Sequence, residues 1–208
     1  MTDADPIVAP YSELLAAFAA AEEAEGWLAR CVEAGRYLAL SVQFVDALAT
    51  ALRRLGQSPV VEICAGDAAL AAALGSRGLA VTATDLRPPP RTETQVEPLA
   101  VDEALRRHRP RVVLASFVPV DTGVDRHVLD CPGVQHYVVL NARLGGECGT
   151  VCLWTHPGWT RTPLEAVTRW MICRHDVWLG TERPPLTHGE AWLLSRPHLR
   201  DDDKTLQP

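Results

Sequence analysis

No apolar stretch in the 208 residues approaches the roughly 20 needed to cross a bilayer, so a membrane-spanning role is not expected. A long basic run is also missing. Lys and Arg number 20 against 26 Asp and Glu, for a net charge of −6. Nucleic-acid backbones are held by clustered cations that displace counterions, so nucleic acid is not an expected partner. The densest basic patch, RRHRPR at 106–111, precedes an expected strand and reads as the last turn of a helix. The opening residues, MTDADPIVAP, lack a basic region followed by an apolar core. No secretory leader is read, and a cytosolic location is expected. There the six cysteines (Cys31, Cys64, Cys131, Cys148, Cys152 and Cys173) read as reduced thiols. Cys148, Cys152 and His156 approach a metal-ligand spacing, but no second pair completes it and no metal is expected. Internal repeats and low-complexity tracts are absent.

What is there is a hydrophobic fraction of 47%, enough for the core of one α/β domain. Helices are expected over 11–25, 27–34 and about 37–55. In the last, Leu38, Val42, Val45, Leu48, Leu52 and Leu55 recur at three- and four-residue steps. Strands and helices then alternate: strand 59–64, helix 67–75, strand 80–84, a proline-rich loop 87–94, strand 94–99, helix 102–108, strand 111–116, a connector, and strand 134–140. Thr162, Pro163 and Glu165 read as a helix start with a capping box. Segments 171–179 and 190–196 read as two strands without a helix between them. The pattern predicts a doubly wound, Rossmann-like parallel sheet with an antiparallel terminal hairpin. The expected division is an N-terminal helical cap (1–56), an α/β domain (57–199) and a disordered tail (200–208).

The first strand–turn–helix unit, VVEICAGDAALAAAL at 60–74, is where such a sheet holds its ligand. Its turn is Cys64-Ala65-Gly66-Asp67-Ala68, small everywhere except Asp67, which is placed to cap the next helix. Asp85, nineteen residues after Gly66, ends the next strand and is placed to accept hydrogen bonds from both hydroxyls of a ribose. Dinucleotides and S-adenosylmethionine both suit this geometry. The turn lacks the first and third glycines of G-x-G-x-x-G, and Asp67 puts negative charge where a pyrophosphate would lie. A sulfonium ligand carries positive charge and no phosphate, so Glu62 and Asp67 become tolerable or useful. The choice leans to S-adenosylmethionine.

On these residues the sequence resembles the class I S-adenosylmethionine-dependent methyltransferases. VVEICAGDAAL resembles their first motif, VTATD the second strand with its ribose carboxylate, and VDEALRRHRPRVVLASFVP the helix and fourth strand. Closer still is a loosely characterised subgroup of small methyltransferase-like proteins. Matching stretches are Ser116-Phe117-Val118-Pro119, Gly145-Gly146-Glu147-Cys148-Gly149-Thr150 and, in the sixth strand, Ile172-Cys173-Arg174-His175-Asp176. The likeness covers about 57–197 and implies a seven-stranded sheet of order 3-2-1-4-5-7-6. Departures are Cys64 and Ala68 at positions of glycine, and Asn141-Ala142 where a Gly-Glu pair is expected. The cofactor-binding residues it implies are Glu62, Cys64, Ala65, Gly66, Asp67 and Ala68 around the first turn. Asp85 and Leu86 follow the second strand, and Ser116 and Phe117 the fourth. Asp102 is implied near the adenine, with the N-cap of helix 103–108 as its rival role.

Methyl transfer is an in-line displacement in which the protein mainly aligns acceptor, methyl and sulfur; a hydroxyl or ammonium acceptor also needs a base. The expected enzyme methylates O or N of a small-molecule substrate and leaves S-adenosylhomocysteine; the alternative is an S-adenosylmethionine-binding scaffold that transfers nothing. A homodimer is compatible with either. The N-terminal helices and the loops after the fourth and fifth strands should wall the acceptor pocket. That makes Tyr37, Asp121, Trp154 and Trp159 candidate substrate contacts. His156, among aromatics in CLWTHPGW, is the preferred catalytic base over His127.

Overall fold

The computed structural model describes residues 8–20, 29, 31, 35–56, 58–120, 122–142, 149–173 and 189–197. Along the chain run α1 (Tyr11–Ala20), β1 (Leu38–Ala39), α2 (Val42–Arg53), β2 (Val60–Ile63), α3 (Ala69–Gly75), β3 (Val81–Asp85), β4 (Val96–Pro98) and α4 (Val101–His108). Then come β5 (Val112–Ser116), α5 (Val124–Asp130), β6 (His136–Ala142), α6 (Cys152–Thr155), β7 (Thr160–Pro163), α7 (Glu165–Thr168), β8 (Ile172–Cys173) and β9 (Gly189–Ser195).

The main sheet has seven strands in the order β4-β3-β2-β5-β6-β9-β7. β4, β3, β2, β5 and β6 are parallel to their neighbours, whereas β9 runs antiparallel to both β6 and β7. The central strands are buried on both faces, which is why VVEI and VVLAS are almost continuously apolar rather than alternating. Val112 and Leu114 point to one core, with Phe44, Leu48 and Leu52 of α2 and Leu70 and Leu74 of α3. Val113 and Ala115 point to the other, with Leu105 of α4, Val128 and Leu129 of α5, and Tyr137. The helix α2 therefore belongs to the sheet's own core. Among the described residues no helix is long and apolar enough to cross a membrane.

Several elements differ from expectation. The antiparallel edge forms, but the partner of β9 is β7, not 171–179. Thr162 and Pro163 thus close a strand instead of opening a helix, and α7 starts only at Glu165. Pro163, paired with Trp192, sits on the outermost strand, where a missing N–H is tolerated. Ile172 and Cys173 leave the main sheet and pair antiparallel with Ala39 and Leu38 in a two-stranded sheet. They are not in the sixth strand, and Arg174, His175 and Asp176 lie outside the described residues, as do 143–148 and nearly all of the expected helix 27–34. The connector after β5 holds α5, a helix the apolar spacing did not signal.

The helix expected from about 37 is shorter, because Leu38–Ala39 is extended. Ser41 caps α2 instead: its hydroxyl accepts from the Phe44 amide at 3.0 Å. Ser41→Ala should cost about 1 kcal/mol, read as a lower urea midpoint with an unchanged slope.

Candidate active site

The bend after β2 alternates into the left-handed region at Cys64, Gly66 and Ala68, with φ of 54°, 55° and 57°. The two non-glycine residues thus take the glycine conformation at a cost of about 1–2 kcal/mol each. Hydrogen bonds hold them there. The Ala65 amide donates to the Thr84 carbonyl at 3.1 Å and the Ala68 amide to the Ala65 carbonyl at 2.8 Å. Asp67 Oδ1 accepts from the Ala69 amide at 3.1 Å at the start of α3, although Ala68, not Asp67, holds the N-cap position. Asp85 Oδ2 accepts from the Gly66 amide at 2.9 Å and Oδ1 from the Arg87 amide at 2.8 Å. Each Asp85 oxygen keeps acceptor capacity for a further donor.

Above the bend, at the C-terminal ends of β2, β3 and β5, opens a cavity of about 740 Å³. That is within the usual range for small-molecule and cofactor sites. Glu62, Cys64, Ala65, Gly66 and Asp67 line it from β2 and the bend, and Asp85 and Leu86 from the end of β3. Asp102, Ser116, Phe117 and Tyr37 complete the sequence-predicted set found there, with His127 on the α5 wall. Ala68 does not line the cavity; it is buried behind the bend against Ala71 and Ala83. Asp102 is not the N-cap of its helix. Ala100 holds that position, and Asp102 lies in the first turn facing Arg106 at 3.4 Å. The Tyr37 ring stacks on Phe117, with centroids 5.7 Å apart and planes 23° from parallel.

Three further predicted residues do not line the cavity. His156 Nε2 lies 2.8 Å from Asp130 Oδ1 and its Nδ1 2.8 Å from the Pro157 carbonyl, so both nitrogens are engaged elsewhere. Trp159 is buried, donates from Nε1 to the Leu129 carbonyl at 3.2 Å, and lies under the Arg196 guanidinium. Trp154 packs edge-on against Trp192. Arg161 donates to the carbonyls of Leu153, His156 and Trp159, folding this segment together away from the cavity. Asp121 lies outside the described residues.

Sequence reasoning missed Arg36 and Asp125. Arg36 reaches from the segment before β1 to Asp67 (3.5 Å) and to Glu93 (3.2 Å) in the proline-rich loop. Nothing in EAGRY announces that role. Asp125 is fully buried; it accepts from the Tyr137 hydroxyl at 2.7 Å and from the Thr150 amide and hydroxyl at 3.0 and 2.9 Å. It thereby fixes α5, and with it the helix that carries His127, to β6. Burial raises the Asp125 pKa, against the lowering effect of those bonds. A short helix in a polar segment hides such a residue from any periodicity argument.

Electrostatically the site is acidic. Burial, and then the charge of Asp67, push the Glu62 carboxyl up to about 8, with the Ala71 amide acting the other way. Burial and the carboxylates of Asp85, Asp125 and Glu62 push the Cys64 thiol up to about 11. Cys64 is therefore a neutral wall, not a nucleophile.

Counted among the seven main strands alone, the order is 3-2-1-4-5-7-6, and the cavity opens where that order reverses. This is the strand order that the resemblance to the class I methyltransferases implies. No protein-family profile matches the chain, and no curated protein does. Solved structures similar to it include the 1,6-didemethyltoxoflavin-N1-methyltransferase of Burkholderia thailandensis. There the identity is 14%, the TM-score 0.48, and coverage 93% of this chain and 92% of that one. The magnesium protoporphyrin IX methyltransferase of Synechocystis PCC 6803 is 9% identical over 74% of this chain and 79% of that one, at a TM-score of 0.47. The 23S rRNA methyltransferase ErmE is 14% identical over 73% and 67%, at a TM-score of 0.44. From the N-terminal part of the chain, Gly35, Arg36, Tyr37, Leu38 and Leu40 line the cavity.

Proposed function

We propose that the chain binds S-adenosylmethionine in this cavity and transfers its methyl group to a small-molecule acceptor in the cytosol. The observation that carries this is Asp67, whose carboxylate already takes the Ala69 amide at the start of α3. A pyrophosphate would have to displace it, whereas a sulfonium and an ammonium are attracted to it. The residues present fit that cofactor. Asp85 has free acceptor sites for two ribose hydroxyls, and buried Glu62 has an oxygen, Oε2, with no hydrogen-bond partner.

When bound, S-adenosylmethionine supplies a methyl group on a positively charged sulfur that departs as a neutral thioether. The chain's part is alignment. Asp85 fixes the sugar, the bend at Cys64–Ala68 sets how deep the ligand lies, and Tyr37 stacked on Phe117 screens the site from water. His127, which lines the cavity, is the base proposed to take the proton of a hydroxyl or ammonium acceptor; a carboxylate or thiolate acceptor needs no base. His127→Ala should lower kcat by about two to four orders of magnitude, if such a proton moves, with cofactor affinity retained. His156→Ala should leave turnover unchanged. Unchanged kcat in the His127 variant at saturating acceptor would remove that residue as base.

The direct test is release of S-adenosylhomocysteine on incubation with S-adenosylmethionine and a metabolite pool. One observation favours a second reading, a scaffold that binds the cofactor without transferring methyl. At the end of β6, where the resemblance expects a Gly-Glu pair, stands Asn141, buried and packed against Gly149. Binding with no product from any pool selects that alternative.

A further inference from the structure

Glu62 is 2% exposed, lines the cavity, and leaves Oε2 without a hydrogen-bond partner. Its flanking strands place Ala83 of β3 and Leu114 of β5 beside it, neither able to pair with a carboxylate. The charged or titratable groups around it are acids: Asp67 and Cys64 in the bend and Asp85 at the end of β3. From α3 comes only the Ala71 amide, and at the end of β5 the lining residue is the uncharged Ser116. Two arginines and a histidine also line the cavity: Arg36, engaged with Asp67 and Glu93, Arg87 just after β3, and His127 of α5, and none of them forms an ion pair with Glu62. Among the described residues no cation stands within ion-pair distance of Glu62.

We infer that Glu62 carries a proton in the ligand-free protein and releases it when a cationic ligand enters, so that cofactor binding is coupled to the loss of one proton. The inference rests on the reading of the cavity as an S-adenosylmethionine site. A buried carboxylate with no counter-charge stays neutral, and a cation brought into the same low-dielectric space restores its ionised form. Burial and Asp67 already hold the free group at about 8. The ligand binds the ionised form. Below that pH the protonated form dominates and must first ionise, so affinity should fall up to about tenfold per pH unit as pH drops.

The test is calorimetry with S-adenosylmethionine, whose sulfonium and amino groups are both cations at neutral pH, without acceptor, in two buffers of different ionisation enthalpy. Near pH 7, most of one proton should be released per ligand bound. In Glu62→Gln the buffer dependence should vanish while binding persists. Equal binding enthalpies in the two buffers for the wild-type protein would overturn the inference and leave the cofactor reading standing. Release persisting in Glu62→Gln would overturn it too. Should that variant not fold, the wild-type affinity between about pH 6 and about pH 8 decides: a steep rise supports the coupling, a flat profile removes it. Absence of binding in every buffer overturns both the inference and the cofactor reading.

Discussion

Asp85→Ala is expected to weaken S-adenosylhomocysteine binding by about two to four orders of magnitude, since two hydrogen bonds to a charged acceptor are lost at about 1.5–3 kcal/mol each. The position is over-determined. The carboxylate accepts from the Gly66 amide on one oxygen and the Arg87 amide on the other, which fixes its plane across the cavity wall. A ribose edge then meets two acceptors already oriented, at little further entropic cost. The substitution also orphans the Gly66 amide in the bend, so part of the loss is indirect. Asp85→Asn separates the two effects, because the amide keeps one acceptor oxygen and the side chain's shape. It should retain the fold and still lose about tenfold in affinity or more. Calorimetry alongside a thermal melt checks both variants. An affinity unchanged in Asp85→Ala would take this residue out of the site.

Gly149→Ala should be among the most destabilising single methyl additions, at about 3–5 kcal/mol from overpacking and left-handed strain together. Gly149 has φ of 77°, and a Cβ there would lie 3.0 Å from Leu153 Cδ1, 3.1 Å from Asn141 Cγ and closer still to Asn141 Nδ2. Its amide donates to the Val118 carbonyl at 2.8 Å, so the neighbour cannot be relieved by moving the backbone without disturbing the loop after Phe117. Urea denaturation gives the magnitude. Adding Asn141→Ala to Gly149→Ala should recover part of the loss, because the contact removed is the one that clashes. Strict additivity of the two would show that strain rather than contact is responsible.

The bend and the Asp85 carboxylate bonded to it were legible because both are local: a β-branched run, small residues and an acid at a fixed separation. A parallel sheet with an antiparallel edge followed from alternation plus a terminal pair of strands without a helix between them, and the strand order from the resemblance. The identity of that pair was not legible. Thr162-Pro163-x-Glu165 satisfies the rule for a helix start, and Trp192 wins by giving Pro163 a partner on the sheet edge. A short segment such as Leu38–Ala39 carries too few residues for a period, and its strand state exists only because Ile172 and Cys173 arrive from far along the chain. The tryptophans misled for a related reason. Aromatics near the end of a strand suit a ligand wall or a core equally, and Arg161 and Arg196 decide for the core in Trp159 by gathering the surrounding carbonyls.

The two-stranded pairing of Leu38–Ala39 with Ile172–Cys173 also sets an order of events during synthesis. As the chain leaves the ribosome, β2, the bend and Asp85 emerge well before the strand that pairs with Leu38–Ala39. Nascent chains stopped before residue 173 can already form the floor of the pocket and the Arg36 and Tyr37 contacts across it, but they lack the partner strand of Leu38–Ala39, so that pairing is added to a pocket whose floor is already built.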